Sequence, residues 1–201
     1  MKTYYYDKLL NINTGGYQKV SNRFFQYHPY EPTPYSALEA LIEEYGWESS
    51  DRVVDFGCGK GRLNFFINHF YQASVVGIEM DEIFYQVAVQ NQSSYLMNNK
   101  KAEDKIHFHC CLAEAYQIDP RDNRFYFFNP FSIEIFVKVI NRILLSVEHE
   151  ERKIELILYY PADDYIYYLD NDTSFELMKE IIVPDLYKND SSERFLIYRL
   201  G

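Results

Sequence analysis

The chain reads as an α/β protein, doubly wound about a mostly parallel sheet and finished by an antiparallel hairpin. Three observations predict this. Short apolar runs alternate with stretches of helical periodicity through the middle of the chain, the pattern of βαβ units. The first clear strand runs into a glycine-rich turn that opens a helix, as ligand-binding sheets of this kind do. The last two β-like runs, 175–183 and 194–200, have no convincing helix between them. They therefore read as a hairpin and not as a further crossover.

The 201 residues suit one domain with a short extra segment. We divide them into a lead-in and helix covering a ligand site, residues 1–50, and a main domain, residues 51–201. A hydrophobic share of 47% is enough for a sizeable core, and 25% charged residues argue against a disordered chain. Aromatics are abundant, with 20 Tyr and 15 Phe. Packing accounts for most of them, and the excess leaves rings to line a cleft. The formal net charge of −10 opposes a grip on duplex nucleic acid, which draws its affinity from Lys and Arg on phosphates. Cys58, Cys110 and Cys111 outline no disulfide framework, and no Cys/His spacing suits a metal. No run approaches a membrane span and the first residues lack an apolar signal core, so a cytoplasmic protein is expected.

In chain order, residues 1–35 are Tyr-rich and punctuated by Gly15-Gly16, Pro29, Pro32 and Pro34. That composition predicts an irregular or partly helical segment. Ala37, Leu38, Leu41 and Ile42 share one helical face over 36–45, with Ser36 or Thr33 placed to cap it. Strands are expected at 52–56, 74–79, 106–110, 125–128 and 154–160, where short runs of apolar residues are rich in β-branched and aromatic side chains. Helices are expected near 62–71, 82–98 and 133–147. Right-handed crossovers place them on both faces of the sheet.

The central motif, residues 53–61, reads Val-Val-Asp-Phe-Gly-Cys-Gly-Lys-Gly. Gly57, Gly59 and Gly61 supply φ freedom and let backbone N–H groups approach a ligand. The GxGxG spacing lacks the last glycine of the dinucleotide fingerprint, where Arg62 stands. Lys60 is followed by Gly61 and not by the Ser or Thr of a phosphate-binding P-loop. Asp55 at the loop's edge suits a zwitterionic tail, whose ammonium a carboxylate can hold, better than a pyrophosphate. Glu79 lies 22 residues after Gly57, at the end of the second strand, where an acid can accept from both ribose hydroxyls. Each feature alone also fits a plain turn or a solvated strand end. Together they point to a nucleoside cofactor.

With these residues the chain resembles the class I S-adenosylmethionine (SAM)-dependent methyltransferases. DFGCGKG at 55–61 matches the family's first motif and VVGIEMD at 75–81 its second, and the resemblance runs in order from about residue 31 to 160. It implies a Rossmann-like, seven-stranded sheet and SAM as cofactor. Asp55, Gly57, Cys58, Gly59 and Gly61 would surround the methionine part, Glu79 would hold the ribose and Met80 would pack on the adenine. The third motif departs from the family, with Leu112 where Asp is common. Ala113 then offers its backbone N–H to the adenine edge, and Glu114 is either the missing acceptor or a solvent-facing acid at a helix start.

The fourth strand ends in Phe127-Phe128-Asn129-Pro130-Phe131. This looks partly like the NPP[YF] motif of amino-group methyltransferases, with one proline fewer. The resemblance implies a catalytic contact for Asn129 beside the cofactor and a stacking role for Phe131. The alternative is a stiff turn closing a strand. Upstream, Thr33, Tyr35 and Ser36 either present hydroxyls over the cofactor or simply lead into the helix.

The expected activity is methyl transfer to a small molecule or to a protein or peptide, without a metal. The alternatives are a nucleic-acid amino-methyltransferase and a SAM-binding protein without catalysis. No residue stands out as a general base. His107 and His109 share one face of their strand, where a packed helix would make them structural. The acceptor and the oligomeric state are not legible.

Overall fold

The computed structural model describes residues 2–16, 26 and 28–201. The rest of the lead-in, residues 1, 17–25 and 27, lies outside the described residues. The strands are β1 (Arg52–Phe56), β2 (Ser74–Glu79), β3 (Ile106–Cys110), β4 (Arg124–Phe128), β5 (Ile154–Tyr159), β6 (Glu176–Ile182) and β7 (Arg194–Leu200). They form one seven-stranded sheet in the order β3-β2-β1-β4-β5-β7-β6. Strands β1 to β5 pair in parallel, and β7 inserts antiparallel between β5 and β6. The expected fold class, a Rossmann-like doubly wound sheet with a terminal antiparallel hairpin, is the one observed.

Adjacent residues of the central strands point to opposite faces, and both faces are covered. This is why the strands are apolar without alternation. Val53, Val75 and Tyr126 face α3 (Arg62–Tyr71) and α4 (Glu82–Leu96), with the lead-in helices α1 (Lys2–Leu10) and α2 (Tyr35–Glu44) completing that cluster. Val54, Val76, Phe125 and Phe127 face α5 (Ile133–His149) and α6 (Asp163–Asp172). A single helical turn, α7 (Pro184–Tyr187), sits inside the hairpin connection.

Two local expectations change. Helix α2 begins after Pro34 as N-cap, with no side-chain cap. Thr33 is engaged elsewhere, its hydroxyl 2.8 Å from the Tyr126 hydroxyl. Helix α6 lies outside the expected helices because its sequence, DDYIYYLDND, carries few aliphatic residues. It is held by Tyr165, which stacks on Phe136 with centroids 3.7 Å apart, and by buried Leu169. No helix among the described residues is long and apolar enough to cross a membrane.

The strand order reverses between β1 and β4, with β2 on one side and β5 on the other. Open sheets bind ligands in the crevice beyond the carboxyl ends of the strands at such a reversal. The glycine loop follows β1, and the Asn129-Pro130 turn follows β4. Both therefore border the same crevice.

Candidate functional site

A cavity of about 1060 Å³ opens at these strand ends. Asp55, Gly57, Cys58, Glu79, Met80, Ala113, Asn129 and Phe131 all border it. Asp55 and Glu79 come from neighbouring strands and lie on the same face, since β1 and β2 are in register at Asp55 and Gly77. The loop is pinned at both ends. Gly57 and Cys58 donate their N–H groups to the Ile78 carbonyl at 2.9 and 3.1 Å. Gly59 and Asp81 donate theirs to the two oxygens of Glu79, each at 2.8 Å. Glu79 thus shapes the loop besides facing the cavity.

Three residues singled out in the sequence stand away from the cavity. Gly59, Gly61 and Glu114 are not among the residues that border it. Gly59 (φ +55°) lies directly under the Tyr30 ring, which a Cβ at this position would overlap. A Cβ on Gly61 (φ +83°) would come within 2.8 Å of both Phe108 and Phe65. Both glycines permit close packing by side chains. Of the three loop glycines, Gly57 (φ +79°) is the one whose backbone borders the cavity.

Tyr30 belongs to the lead-in, which is strapped across the loop by its two cations. Lys60 donates from Nζ to the Gly15 carbonyl at 2.8 Å and lies 5.2 Å from the Tyr30 ring centre. Arg62 donates to Thr14 Oγ1 at 2.8 Å and to the Thr33 carbonyl at 3.0 Å. Tyr35, for which the sequence leaves open both a hydroxyl over the cofactor and a plain lead-in to the helix, donates its hydroxyl to Asp7 at 2.6 Å. Thr33 does border the cavity, with its hydroxyl turned to Tyr126.

The electrostatics are one-sided. Asp55 is 4% exposed and has no hydrogen-bond partner among the described residues. Burial, reinforced by the charge of Glu79, pushes its carboxyl well above the ordinary carboxylate range. Burial also raises Glu79 to about 7, against the pull of the Asp81 and Gly59 N–H groups. Neither Lys60 nor Arg62 bonds to either acid. A buried, unpaired carboxylate is costly, and this pair calls for a cation that also brings hydroxyl donors.

On the other wall, Asn129 adopts φ +39° and its Oδ1 is buried without a partner among the described residues. Its carbonyl lies 2.6 Å from His28 Nδ1. A carbonyl only accepts, so Nδ1 carries the hydrogen. Phe131 is 1% exposed, lies edge-on to Phe127 and takes the Tyr165 hydroxyl on its carbonyl. It forms a fixed back wall, which leaves little ring face for stacking on an acceptor. The expected histidines, His107 and His109, are exposed on the edge strand β3. Sequence reasoning missed His28, Tyr30 and Arg62 as parts of the site. The run of aromatic and proline residues at 28–35 was the available signal.

Residues 34–123 match a family model described as a methyltransferase domain. A search of curated proteins finds no match. Among solved structures, a candidate RNA methyltransferase from Pyrococcus horikoshii is 15% identical, with 99% of this chain and 95% of that one covered at a TM-score of 0.58. The [4+2]-cyclase SpnF is 13% identical, with 87% and 85% covered at 0.60. Geranyl diphosphate C-methyltransferase from Streptomyces coelicolor, crystallised with S-adenosylhomocysteine (SAH), Mg²⁺ and geranyl diphosphate, is 10% identical, with 82% and 77% covered at 0.54. Identities this low carry the fold and nothing about the acceptor. The domain match over residues 34–123 and the strand order together show a Rossmann-like fold, with a segment similar to methyltransferase domains.

Proposed function

We propose that the protein binds SAM in this cavity and transfers its methyl group to a small molecule or to a protein or peptide. The observation that carries the reading is the buried pair Asp55 and Glu79, which faces the cavity with no cation bonded to it among the described residues. SAM brings an ammonium, a sulfonium and two ribose hydroxyls, which together meet both carboxylates. Asp55 and the Gly57–Cys58 backbone would hold the methionine part, Glu79 the ribose, and Met80 and the Ala113 edge the adenine. When bound, the cofactor supplies a methyl group on a good leaving group, a neutral thioether. The protein's part is to orient the acceptor and exclude water. We take residues 1–50 as the cover of the site and 51–201 as the methyltransferase domain, and we place the protein in the cytoplasm.

Calorimetry should show saturable binding of SAM and SAH and none of NAD, whose pyrophosphate would be set against Asp55. NAD binding without a SAM signal would overturn the reading. Asn129 is the candidate for orienting the acceptor, because it borders the cavity at the end of β4, beside the strand that carries Asp55, and its Oδ1 has no partner among the described residues. With an accepted substrate, Asn129→Ala should lower kcat by roughly 10- to 100-fold and leave the SAH dissociation constant within about twofold, as expected when the lost contact serves the transition state. A lowered melting temperature with unchanged specific activity would make Asn129 a turn residue only. Nucleic-acid amino-methylation, a possibility raised by the Asn129-Pro130-Phe131 run, is opposed by the net charge of −10. A SAM-binding protein without turnover would bind SAH and methylate none of the acceptors tested.

A further inference from the structure

We propose that the acceptor taken by this site is an organic amine, admitted as a cation at the mouth of the cavity. This rests on the methyltransferase reading and names its substrate class. Besides Asp55 and Glu79, the carboxylates of Glu31, Asp81 and Glu82 border the cavity, and Arg62 is the one Lys or Arg that does so among the described residues. Arg62 is occupied by Thr14 and Thr33 and lies 4.5 Å from the Tyr35 ring centre. Among the described residues the lining is therefore acidic, which attracts cations and disfavours phosphates and carboxylates.

Sites for single drug-sized ligands span roughly 300–1,000 Å³, and this cavity, at about 1060 Å³, lies just above that range. At the carboxyl ends of β4 and β5 the lining includes Phe128, Asn129 and Tyr160, with His28 bonded to Asn129 and Glu31 contributed by the lead-in. Their polar groups mostly accept. Glu31 is an exposed carboxylate, and Asn129 Oδ1 lacks a donor among the described residues. The Tyr160 hydroxyl is already donated to Asp190 at 2.6 Å, which adds a further carboxylate beside that ring. The rings of Phe128 and Tyr160, with centroids 6.4 Å apart, offer aromatic faces between these acids. Carboxylate beside aromatic face is the chemistry that recognises an ammonium.

An ammonium nitrogen has no free electron pair, so it must lose a proton before attack. That proton is released to water at the open mouth. The nitrogen lone pair then forms the C–N bond to the methyl as the C–S bond breaks. The C–S pair stays on sulfur as the neutral thioether, and the product leaves as a methylated ammonium.

The test uses the full chain saturated with SAH, titrated with charge-reversed pairs: phenethylamine against 3-phenylpropionate, and cadaverine against glutarate. At least one amine is expected to bind roughly tenfold more tightly than its carboxylate counterpart. Glu31→Gln should remove most of that preference and leave SAH binding unchanged. With methyl-labelled SAM, the preferred amine should take up label. Equal or tighter binding of the carboxylates, no amine binding, an unchanged preference in Glu31→Gln, or a bound amine that never takes up label would each overturn the proposal. Failure of SAH itself to bind would instead overturn the cofactor reading on which it stands.

Discussion

Gly57→Val is expected to abolish cofactor binding, weakening SAH by at least roughly a hundredfold, equivalent to about 2.7 kcal/mol. Two costs coincide at this position. Gly57 sits at φ +79°, where a residue with a Cβ costs about 1–2 kcal/mol. The added Cβ would also lie 2.8 Å from the Pro130 Cβ, an overlap of the kind that costs about 1–3 kcal/mol in a packed interior. Moving Pro130 to relieve it would shift Asn129, so the loop and the opposite wall fail together. The melting temperature should fall as well, and circular dichroism should be recorded beside calorimetry. Gly46→Ala is the control, because nothing lies within 4 Å of a Cβ there, and it should leave both measurements unchanged. Retained SAH affinity in Gly57→Val would place the ligand elsewhere.

The second large effect is a pH dependence centred on Glu79. Its carboxyl is raised from the ordinary 4.5 to about 7, chiefly by burial. Between those two values the folded protein holds more protons than the unfolded chain. This group's stabilising contribution is therefore present in full below about pH 4.5 and is lost as the pH rises to about 7. Binding runs the opposite way. Ribose hydroxyls donate to the ionised form, so SAH affinity should increase from pH 5 to pH 8, and proton uptake by buffer should accompany binding near pH 7. If only the ionised form bound, about 1% of the protein would be competent at pH 5, which sets a ceiling of roughly a hundredfold on the change.

Asp55 is also raised, chiefly by burial and further by the charge of Glu79. Glu79→Gln should flatten the profile near pH 7 while leaving the contribution of Asp55. It should also weaken SAH at every pH. Glu79 now accepts from both Gly59 and Asp81, and an amide offers only one accepting atom. One backbone N–H would lose its partner, at about 1–3 kcal/mol. A profile as steep in Glu79→Gln as in the unaltered protein would remove Glu79 from the ribose site.

The sheet, most of its helices and the location of the crevice are legible in the sequence. These follow from local signals: strands long enough to bury both faces, helical periodicity between them, and a glycine turn with an acid at each of two strand ends. Asp55, Gly57 and Glu79 were legible because the strands that end in them lie side by side in any sheet of this order. Helix α6 was not, because two buried residues and one ring stack hold a segment whose own composition is largely polar and aromatic.

The three-dimensional packing sets which loop glycines face the cavity. Gly59 turned out to lie under Tyr30, and Gly61 against Phe65 and Phe108. It also decided that Glu114 stands off the cavity, that Phe131 is a buried wall, and that His28 meets the Asn129 carbonyl across 101 residues of chain. The physical reason is common to all of these. Period and turn chemistry are carried by residues a few positions apart. The coverage of a glycine, the pairing of a carboxylate and the exposure of a ring are set by segments distant in sequence. Here those segments include a lead-in folded back over the loop and held by Lys60 and Arg62. The same folding back leaves Asp55 and Glu79 buried together without a cation bonded to either among the described residues, which turns two ordinary acids into a site that calls for one.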